Sequence, residues 1–514
     1  MYVYNVKRIN HSVFWPIFIL MISVSGYSLL NTSSFISITT QINDWILETF
    51  GELISVSVLF FLALSVFAYF SPLGSLKIGG EEAEPLLTKW RWFSVTLCTT
   101  IATGILFWGT AEPLFHLHAP PAGLGIAPNS AEAIGFSIAT MYLHWTFVPY
   151  GIYTMAGLAF AWSYYNLKQP FTLGAMIYPA IGQRAIGGIG KVVDAISLFS
   201  LIAGMAASLG AGLIILAGGL ETLAGIEYSY ITLGIMAILI VGTFILSSVS
   251  GLQKGIKTLS DVNIKIFIGL AIFIFLFGPT LFIIKWGIAG IWGFTTTFFS
   301  KSLIGFTSEG GSTWSQSWTV FYWSNWLAWT PITALFLGKI SRGYTVKEFI
   351  RINLLYPSLF SVVWMMIFSN TSMFFDRVDV SAPLYTVLNS EGGVSKVIFA
   401  VLGNLPLAQI TSFVFLVAAF LSYVTAADSN TSAMSGISSK STDDHDEPYI
   451  WMKIIWGILI GTIAWVMISF SGDGQTSGLD GIKMLSNLGG LPALFLMLVV
   501  ALGVVKLIWK SWKG

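Results

Sequence analysis

The sequence has one cysteine, few charged residues and none of the common hydrolase motifs. Cys98 stands alone, which excludes an intramolecular disulfide and a metal cluster held by cysteines. Charged residues make up 10% of the 514 residues, and the net charge of +1 gives no indication of nucleic-acid binding. Neither HExxH nor GxSxG occurs, and of the five histidines only His144 lies well inside an apolar segment. An enzyme is therefore not expected.

Long apolar segments dominate the chain. Hydrophobic residues make up 55% of it, and the mean hydropathy is +0.79. Roughly 20 apolar residues in a helix span the hydrocarbon core, which predicts an all-α polytopic membrane protein with twelve transmembrane helices. These predicted spans cover about 13–33, 53–71, 92–115, 135–165, 192–220, 229–249, 262–287, 314–340, 349–370, 405–437, 450–471 and 485–508.

The basic residues predict the orientation of these spans. With a cytoplasmic N-terminus, twenty of the 25 lysines and arginines fall in inner loops or at the termini. The outer loops hold the other five, which are Lys285, Lys301, Arg377, Lys396 and Lys483. This satisfies the positive-inside rule. We therefore expect a multi-pass protein of the cell (inner) membrane with both termini in the cytoplasm.

Spans three to seven and eight to twelve are nearly equal in length, which favours a five-plus-five inverted repeat, as in many secondary transporters. Two outer stretches, 290–306 and 382–404, are predicted to be interfacial or re-entrant. The predicted organisation is two peripheral N-terminal helices, a first five-helix repeat, an interfacial helix with a connector, and a second repeat with a short C-terminus, at 1–90, 91–290, 291–313 and 314–514.

Span eight contains the most unusual segment, "SWTVFYWSNWLAW". At 100° per residue, Trp318, Tyr322, Trp326 and Trp329 share one helical face. An interfacial aromatic belt is an equal alternative for Trp314 and Trp318, and plain helix packing is another. Trp329 lies about 16 Å along the axis from Trp318, too deep for a belt. Buried tryptophan faces suit a quaternary ammonium group, which cannot donate a hydrogen bond.

Span four offers a second aromatic set, "MYLHWTFVPYGIY". Trp145, Tyr150 and Tyr153 lie within two or three turns, and Pro149 is expected to loosen the helix between them. Core packing is the alternative to a binding role.

Charged residues inside spans are costly and usually functional. Glu112 in span three and Asp428 in span ten belong to this class. Asp261 and Arg342 lie near cytoplasmic helix ends, where a solvated role and a gating role are equally possible.

Small residues and hydroxyls suggest where an ion could bind. The stretch "GMAASLGAG" at 204–212 permits either close helix packing or local unwinding that exposes carbonyls to an ion. Thr425 is a candidate oxygen ligand for a hard cation such as Na⁺.

Several segments together resemble the betaine/carnitine/choline transporter family. They are "SWTVFYWSNWLAW" with the following "LGKISRGYTVKEF", "ILFWGTAEPLF", "LHWTFVPYGIY", "SGLQKGIKTLSDVN" and "TAADS", in the family's order and over nearly the whole chain. The resemblance implies a leucine-transporter-like fold, often assembled as homotrimers. It also implies transport of zwitterions that carry a trimethylammonium group.

The resemblance also implies roles for individual residues. The central aromatic cage corresponds to Trp145, Tyr150, Tyr153 and Trp326. Positions that line the pathway toward the cytoplasm correspond to Phe321, Trp323 and Trp329. The sodium site corresponds to the Thr425 hydroxyl and to span-three carbonyls around Ala102 and Thr103.

Two departures from the family pattern bear on substrate and coupling. Asn325 stands where the family signature has a tryptophan, so it is a candidate substrate-binding residue that differs from the family. Asn263 stands where sodium-independent carnitine exchangers have an arginine. With no positive charge at this position to replace an ion, cation coupling is expected, by sodium ahead of protons, and no other cofactor.

We therefore expect a secondary transporter that carries a quaternary-ammonium zwitterion by alternating access. A carrier of the same fold for another amine, an amino acid or a sulfonium osmolyte is an alternative, as is a substrate/product exchanger. A membrane-embedded enzyme or receptor is a more distant one.

Overall fold

The structure is a computed structural model that describes residues 8–100, 104–249, 253–307, 311–378, 383–390, 392–440, 449–472 and 478–513. Nearly all of these residues are helical. The α-helices in chain order are α1 His11–Leu30, α2 Thr32–Phe70, α3 Lys89–Thr100, α4 Gly104–His118, α5 Ala131–Trp145, α6 Phe147–Ala161, α7 Tyr178–Ile181, α8 Gly188–Ala224, α9 Tyr230–Val249, α10 Gln253–Phe277, α11 Thr280–Ser302, α12 Ile304–Thr307, α13 Gly311–Ser315, α14 Phe321–Lys339, α15 Val346–Ile350, α16 Tyr356–Val378, α17 Leu384–Leu388, α18 Gly393–Gly403, α19 Ala408–Ile437, α20 Ile450–Phe470 and α21 Leu479–Ser511.

The described residues also contain three π-helical turns and one short strand pair. The π turns are Trp162–Asn166, Gln316–Val320 and Arg351–Leu355. Two-residue strands, β1 Arg8–Ile9 and β2 Ser439–Lys440, pair antiparallel with Arg8 opposite Lys440. This pairing joins the segment before α1 to the end of α19.

The chain is an all-α polytopic membrane protein. In the described part of the chain, nine helical runs are long and apolar enough to cross a bilayer. Eight of them correspond to predicted spans one, two, five, six and nine to twelve. The remaining predicted spans are interrupted or less apolar, so the number twelve stays a prediction.

A helix break interrupts predicted span seven. The sequence predicts one continuous span over 262–287 and an interfacial piece that begins at 290. Instead, α10 ends at Phe277, and a single 23-residue helix, α11, begins at Thr280. Pro279 explains the break, because proline has no N–H for the helix ladder and its fixed φ suits a helix start.

The outer stretch predicted at 382–404 is largely helical where it is described. It contains α17 and α18. α18 packs against α8, α19 and α4. This connector therefore rests on the helical bundle.

Helix α8 lies at the centre of the bundle. Within its most apolar 18-residue window, 89% of the residues are buried, against 22% for α11. It packs against α14, α19, α20 and α21. The 204–212 stretch lies within this unbroken 37-residue helix, so its small residues serve close packing and not unwinding.

One glycine of this stretch allows α19 to approach. A Cβ on Gly212 would lie 2.7 Å from the ring of Tyr423, a fully buried side chain. Gly242 on α9 is the opposite case, because a Cβ there would have no atom within 4 Å.

We predict that Gly212→Ala lowers the free energy of unfolding by about 2 kcal/mol, since the added methyl group overpacks the helix contact. The matched control Gly242→Ala should be neutral, or stabilising by up to about 1 kcal/mol, because alanine favours the helix. Thermal unfolding of the purified protein in detergent measures both. Equal shifts for the two variants would contradict this assignment of the α8–α19 contact.

Candidate functional site

A break within predicted span four positions the first aromatic group. α5 ends at Trp145, and Thr146 leaves the helix with φ −121° and ψ −111°. The sequence predicts a loosened helix near Pro149, but a proline ring clashes with the carbonyl four residues earlier. That carbonyl belongs to Trp145, which explains why the helix breaks there. Tyr150 and Tyr153 then lie in the first two turns of α6.

The ring of Trp326 on α14 contacts all three aromatic side chains of span four. Ring centroids lie 5.8 Å from Trp145, 6.0 Å from Tyr150 and 5.3 Å from Tyr153. All four side chains are buried. The structure therefore brings together the four residues predicted to form the aromatic cage, with Trp326 in contact with each of the others.

A buried carboxylate lies directly behind this group. Glu112 Oε1 lies 2.6 Å from Nδ1 of His144 and 3.1 Å from Nε2 of His116. Its Oε2 accepts a hydrogen bond from the indole of Trp145 at 2.8 Å. Nε2 of His144 reaches the Thr319 hydroxyl at 3.1 Å. Because each of these groups is fully or nearly fully buried, the carboxylate obtains from protein the donors that water would otherwise supply.

The same cluster orients Trp326. Its indole N–H donates to the carbonyl oxygen of His144 at 3.2 Å. The two tryptophans of the cage are thus held by Glu112 and by the backbone next to it. The sequence marks Glu112 as a costly charge inside a span, but nothing in the sequence connects the residue to the cage.

Glu112, His116 and His144 also have the residue types of a metal site, with ligand atoms within 4.8 Å of one another. However, the carboxylate contacts a ring nitrogen at 2.6 Å. Ligands bound to zinc at about 2.1 Å in a tetrahedron lie farther apart than this. The cluster is therefore a hydrogen-bonded one.

The interfacial alternative for Trp314 and Trp318 does not fit the structure. Both side chains are only 8% exposed. Both also pack on the His116 ring, at 5.3 and 4.8 Å. They belong to the interior of the bundle.

Aromatic rings connect Trp318 to the cage. Trp108 contacts Trp318 at 6.1 Å and Tyr322 at 5.6 Å. Tyr322 contacts Trp145 at 5.1 Å, which in turn contacts Trp326. We call these five residues the aromatic series. It begins at the π turn Gln316–Val320, a type of helical irregularity that is frequent at functional sites.

The other candidate residues on α14 lie outside the cage. Phe321 packs on Trp108, before the cage along the helix. Trp323 is fully buried. Trp329, after the cage, is half-buried beside Gly204, where a Cβ would lie 3.2 Å from the indole nitrogen. Phe321 and Trp329 therefore lie on opposite sides of Trp326 along α14, and their role in lining a pathway stays a prediction. Asn325 Oδ1 accepts a hydrogen bond from the Ser486 hydroxyl of α21 at 3.2 Å.

Thr425, a predicted ion-site residue, lies in one hydrogen-bonded cluster with Asn263. Thr425 donates its hydroxyl to the carbonyls of Leu421 and Ser422, both at 2.9 Å. Nδ2 of Asn263 donates to the Ser422 hydroxyl at 2.5 Å. This links α10 to α19 beside Thr425. Ala102 and Thr103 lie outside the described residues.

The remaining candidate charges are placed as follows. Asp428 forms an ion pair with Lys453 at 2.7 Å, which joins α19 to α20. Arg342 is exposed in the turn after α14. The side chain of Asp261 lies outside the described residues.

Two lysines that sequence analysis assigned to outer loops are partly or fully buried. Lys301 on α11 donates to the carbonyl of Phe136 at 3.0 Å and to the Thr140 hydroxyl at 2.8 Å. Lys483 on α21 lies over the ring of Trp318 at 4.3 Å. The sequence signal for burial is a lysine within an otherwise apolar segment, but the positive-inside count treats both residues as loop charges.

A model of one transporter family, described as "BCCT, betaine/carnitine/choline family transporter", matches residues 12–513. The betaine/ectoine transporter LcoP of Corynebacterium glutamicum is 30% identical over 509 residues, which cover 98% of this chain and 78% of that protein. A glycine betaine transporter of Acinetobacter baylyi is 27% identical over 97% of this chain and 73% of its own length. The high-affinity choline transport protein of Escherichia coli is 27% identical over 90% and 67%, respectively.

The buried cluster gives a stability prediction. Glu112→Gln should lower the free energy of unfolding by roughly 3 kcal/mol. The glutamine amide has an NH2 group in place of one carboxylate oxygen, so a buried donor that now binds Glu112 would lose its acceptor. The control Glu221→Gln alters the ion pair with Lys396, whose side chains are 30% and 21% exposed. It should cost less than about 1 kcal/mol. Chemical denaturation in detergent measures both, and equal losses would argue against Glu112 as the organising charge.

Proposed function

The chain belongs to the betaine/carnitine/choline family of transporters, and from this premise we propose that it carries a quaternary-ammonium zwitterion across the membrane by alternating access. The substrate binds in the cage formed by Trp145, Tyr150, Tyr153 and Trp326. The contact of Trp326 with the other three rings is the observation that supports this assignment most directly.

The chemistry of the cage matches this substrate class. A trimethylammonium group carries a positive charge but no N–H. It cannot donate a hydrogen bond, so hydrogen-bond acceptors would bind it only weakly. Aromatic faces attract such a group through their quadrupole, most strongly where water is excluded. The Glu112 carboxylate behind Trp145 adds a negative charge close to the cage and further favours a cationic group.

Among quaternary-ammonium compounds, a betaine is our first candidate. Relatives are named as betaine, ectoine and choline transporters, so a chemically related solute such as ectoine or choline is the main alternative. Exchange of substrate for product is a second mode open to the same site.

We further propose that both termini lie in the cytoplasm and that the chain assembles as a homotrimer. The distribution of basic residues supports the first statement. The family resemblance supports the second.

Sodium is the proposed coupling ion. Thr425 gives its hydroxyl hydrogen to backbone carbonyls, so its oxygen keeps lone pairs for a cation. Ala102 and Thr103 would supply backbone carbonyls from span three. In this proposal Na⁺ is a transported ion and not a resident cofactor.

We predict that Trp326→Ala abolishes uptake of labelled glycine betaine into proteoliposomes. Each desolvated cation–π contact contributes about 2 kcal/mol, so losing it weakens binding roughly thirtyfold. Trp326→Phe should retain part of the activity, because it keeps an aromatic face.

Trp456→Phe is the matched control. Trp456 is equally buried but packs on Phe14 of α1 and not on the cage residues, so its replacement should leave uptake near the wild-type level. Near-normal uptake by a folded Trp326→Ala variant would refute the cage.

For coupling, we predict that uptake falls to background when potassium replaces sodium. Thr425→Val should raise the sodium concentration for half-maximal uptake about tenfold, as expected for the loss of one oxygen ligand. Thr243→Val is the control, because the Thr243 hydroxyl also donates to its own helix, at Leu239, but on α9. Uptake that is indifferent to sodium in the wild type would reject sodium coupling and leave the cage proposal intact.

A further inference from the structure

Lys483 places a positive charge against the aromatic series. Its ammonium nitrogen lies 4.3 Å from the ring centroid of Trp318 and 5.9 Å from that of Phe321. The side chain is half-buried near the start of α21. The helices α14 and α21 pack along each other, and Ser486, one turn after Lys483, meets Asn325 in the same interface.

The ammonium group of Lys483 has no hydrogen bond or ion pair with any residue that the structure describes. The acidic groups whose charges act on it are Asp480, one turn earlier on α21, and Glu112, and neither forms an ion pair with it. An ammonium group has three donors. Its present partners are therefore ring faces, which leave all three donors available to an acceptor.

The rings under Lys483 are of the type that binds a quaternary ammonium group. Trp318 and Phe321 both contact Trp108, at 6.1 and 5.6 Å. Through Trp108 and Tyr322 they connect to the cage. The ammonium group of Lys483 thus lies over the ring of Trp318, at the end of the aromatic series opposite Trp326.

We propose that Lys483, Trp318 and Phe321 form a second recognition site, specific for substrates that carry both a carboxylate and a quaternary ammonium group. The carboxylate binds the free donors of Lys483 through charge-assisted hydrogen bonds. The flexible four-carbon stem lets the ammonium group move toward that carboxylate. The trimethylammonium group then takes the place of the ammonium group over the ring of Trp318.

This site discriminates between zwitterions and simple cations. Choline carries the same trimethylammonium group as glycine betaine but a hydroxyl in place of the carboxylate. It would meet the like charge of Lys483 at the ring faces and offer no anion to draw that charge away. The inference rests on the proposed function, because it refines the substrate class of the same carrier.

The test compares glycine betaine and choline as substrates of the full chain in proteoliposomes. The measured quantity is the ratio of their kcat/KM values for uptake. The variants are Lys483→Met, which keeps the length of the side chain but removes the charge, and Lys483→Arg, which keeps a cation.

The matched control is Lys285→Met. Lys285 also lies over a tryptophan, Trp286, at 5.4 Å, but on the exposed face of α11. Any general effect of removing a lysine from an indole face appears in this variant too.

We expect the wild type to favour glycine betaine. Lys483→Met should reduce the betaine-to-choline ratio about tenfold, the effect of losing one hydrogen bond to a charged group. Lys483→Arg should preserve most of the ratio, and Lys285→Met should leave it unchanged. An equal loss for both substrates in Lys483→Met would mean that Lys483 only supports the fold, and would overturn the proposal.

Two further outcomes are decisive. If Lys483→Met does not reach the membrane, the wild type decides, since more efficient uptake of choline than of glycine betaine overturns the role of Lys483. That result would leave the cage and the transport function standing. Uptake of neither compound by the wild type would reject the proposed function itself.

Discussion

The buried carboxylate of Glu112 is the constraint on which the rest of the site depends. An anion deep in a helical membrane bundle is stable only where protein donors replace water. Here the donors come from His116 on its own helix and from His144 and Trp145 at the end of α5. Through His144 the network reaches Thr319 beside α14. Three helical segments are therefore held in one arrangement around a single charge.

That arrangement explains why the aromatic cage is a property of several helices and not of one motif. Trp145 is held by Glu112, and Trp326 by the carbonyl of His144. Each indole uses its N–H for orientation, so its ring face remains free to contact other groups. Ring faces favour positive charge, and the chain already supplies one at Trp318, from Lys483. The same physical preference thus accounts for a resident cation at one end of the aromatic series and for a proposed substrate cation at the other.

Much of this site could be predicted from spacing. Trp145, Tyr150 and Tyr153 share two or three turns, and a tryptophan too deep for an interfacial belt points to the bundle interior. The positions of the helix breaks were harder to predict. The clash of Pro149 acts four residues earlier, at Trp145, and Pro279 ends α10 before the predicted end of span seven. Both effects follow from proline geometry, but a hydropathy pattern averages over them.

The sequence by itself determined the class of the protein. Its apolar runs require helices that satisfy their own backbone in lipid, and its ordered aromatic motifs indicate the transporter family. Only the tertiary structure decided which polar groups meet. Glu112 and His144 lie far apart in the chain, as do Trp318 and Lys483, and each pair is joined by helix packing. Periodicity describes one helix at a time, whereas a contact between helices depends on their relative rotation and depth, which no single helix encodes.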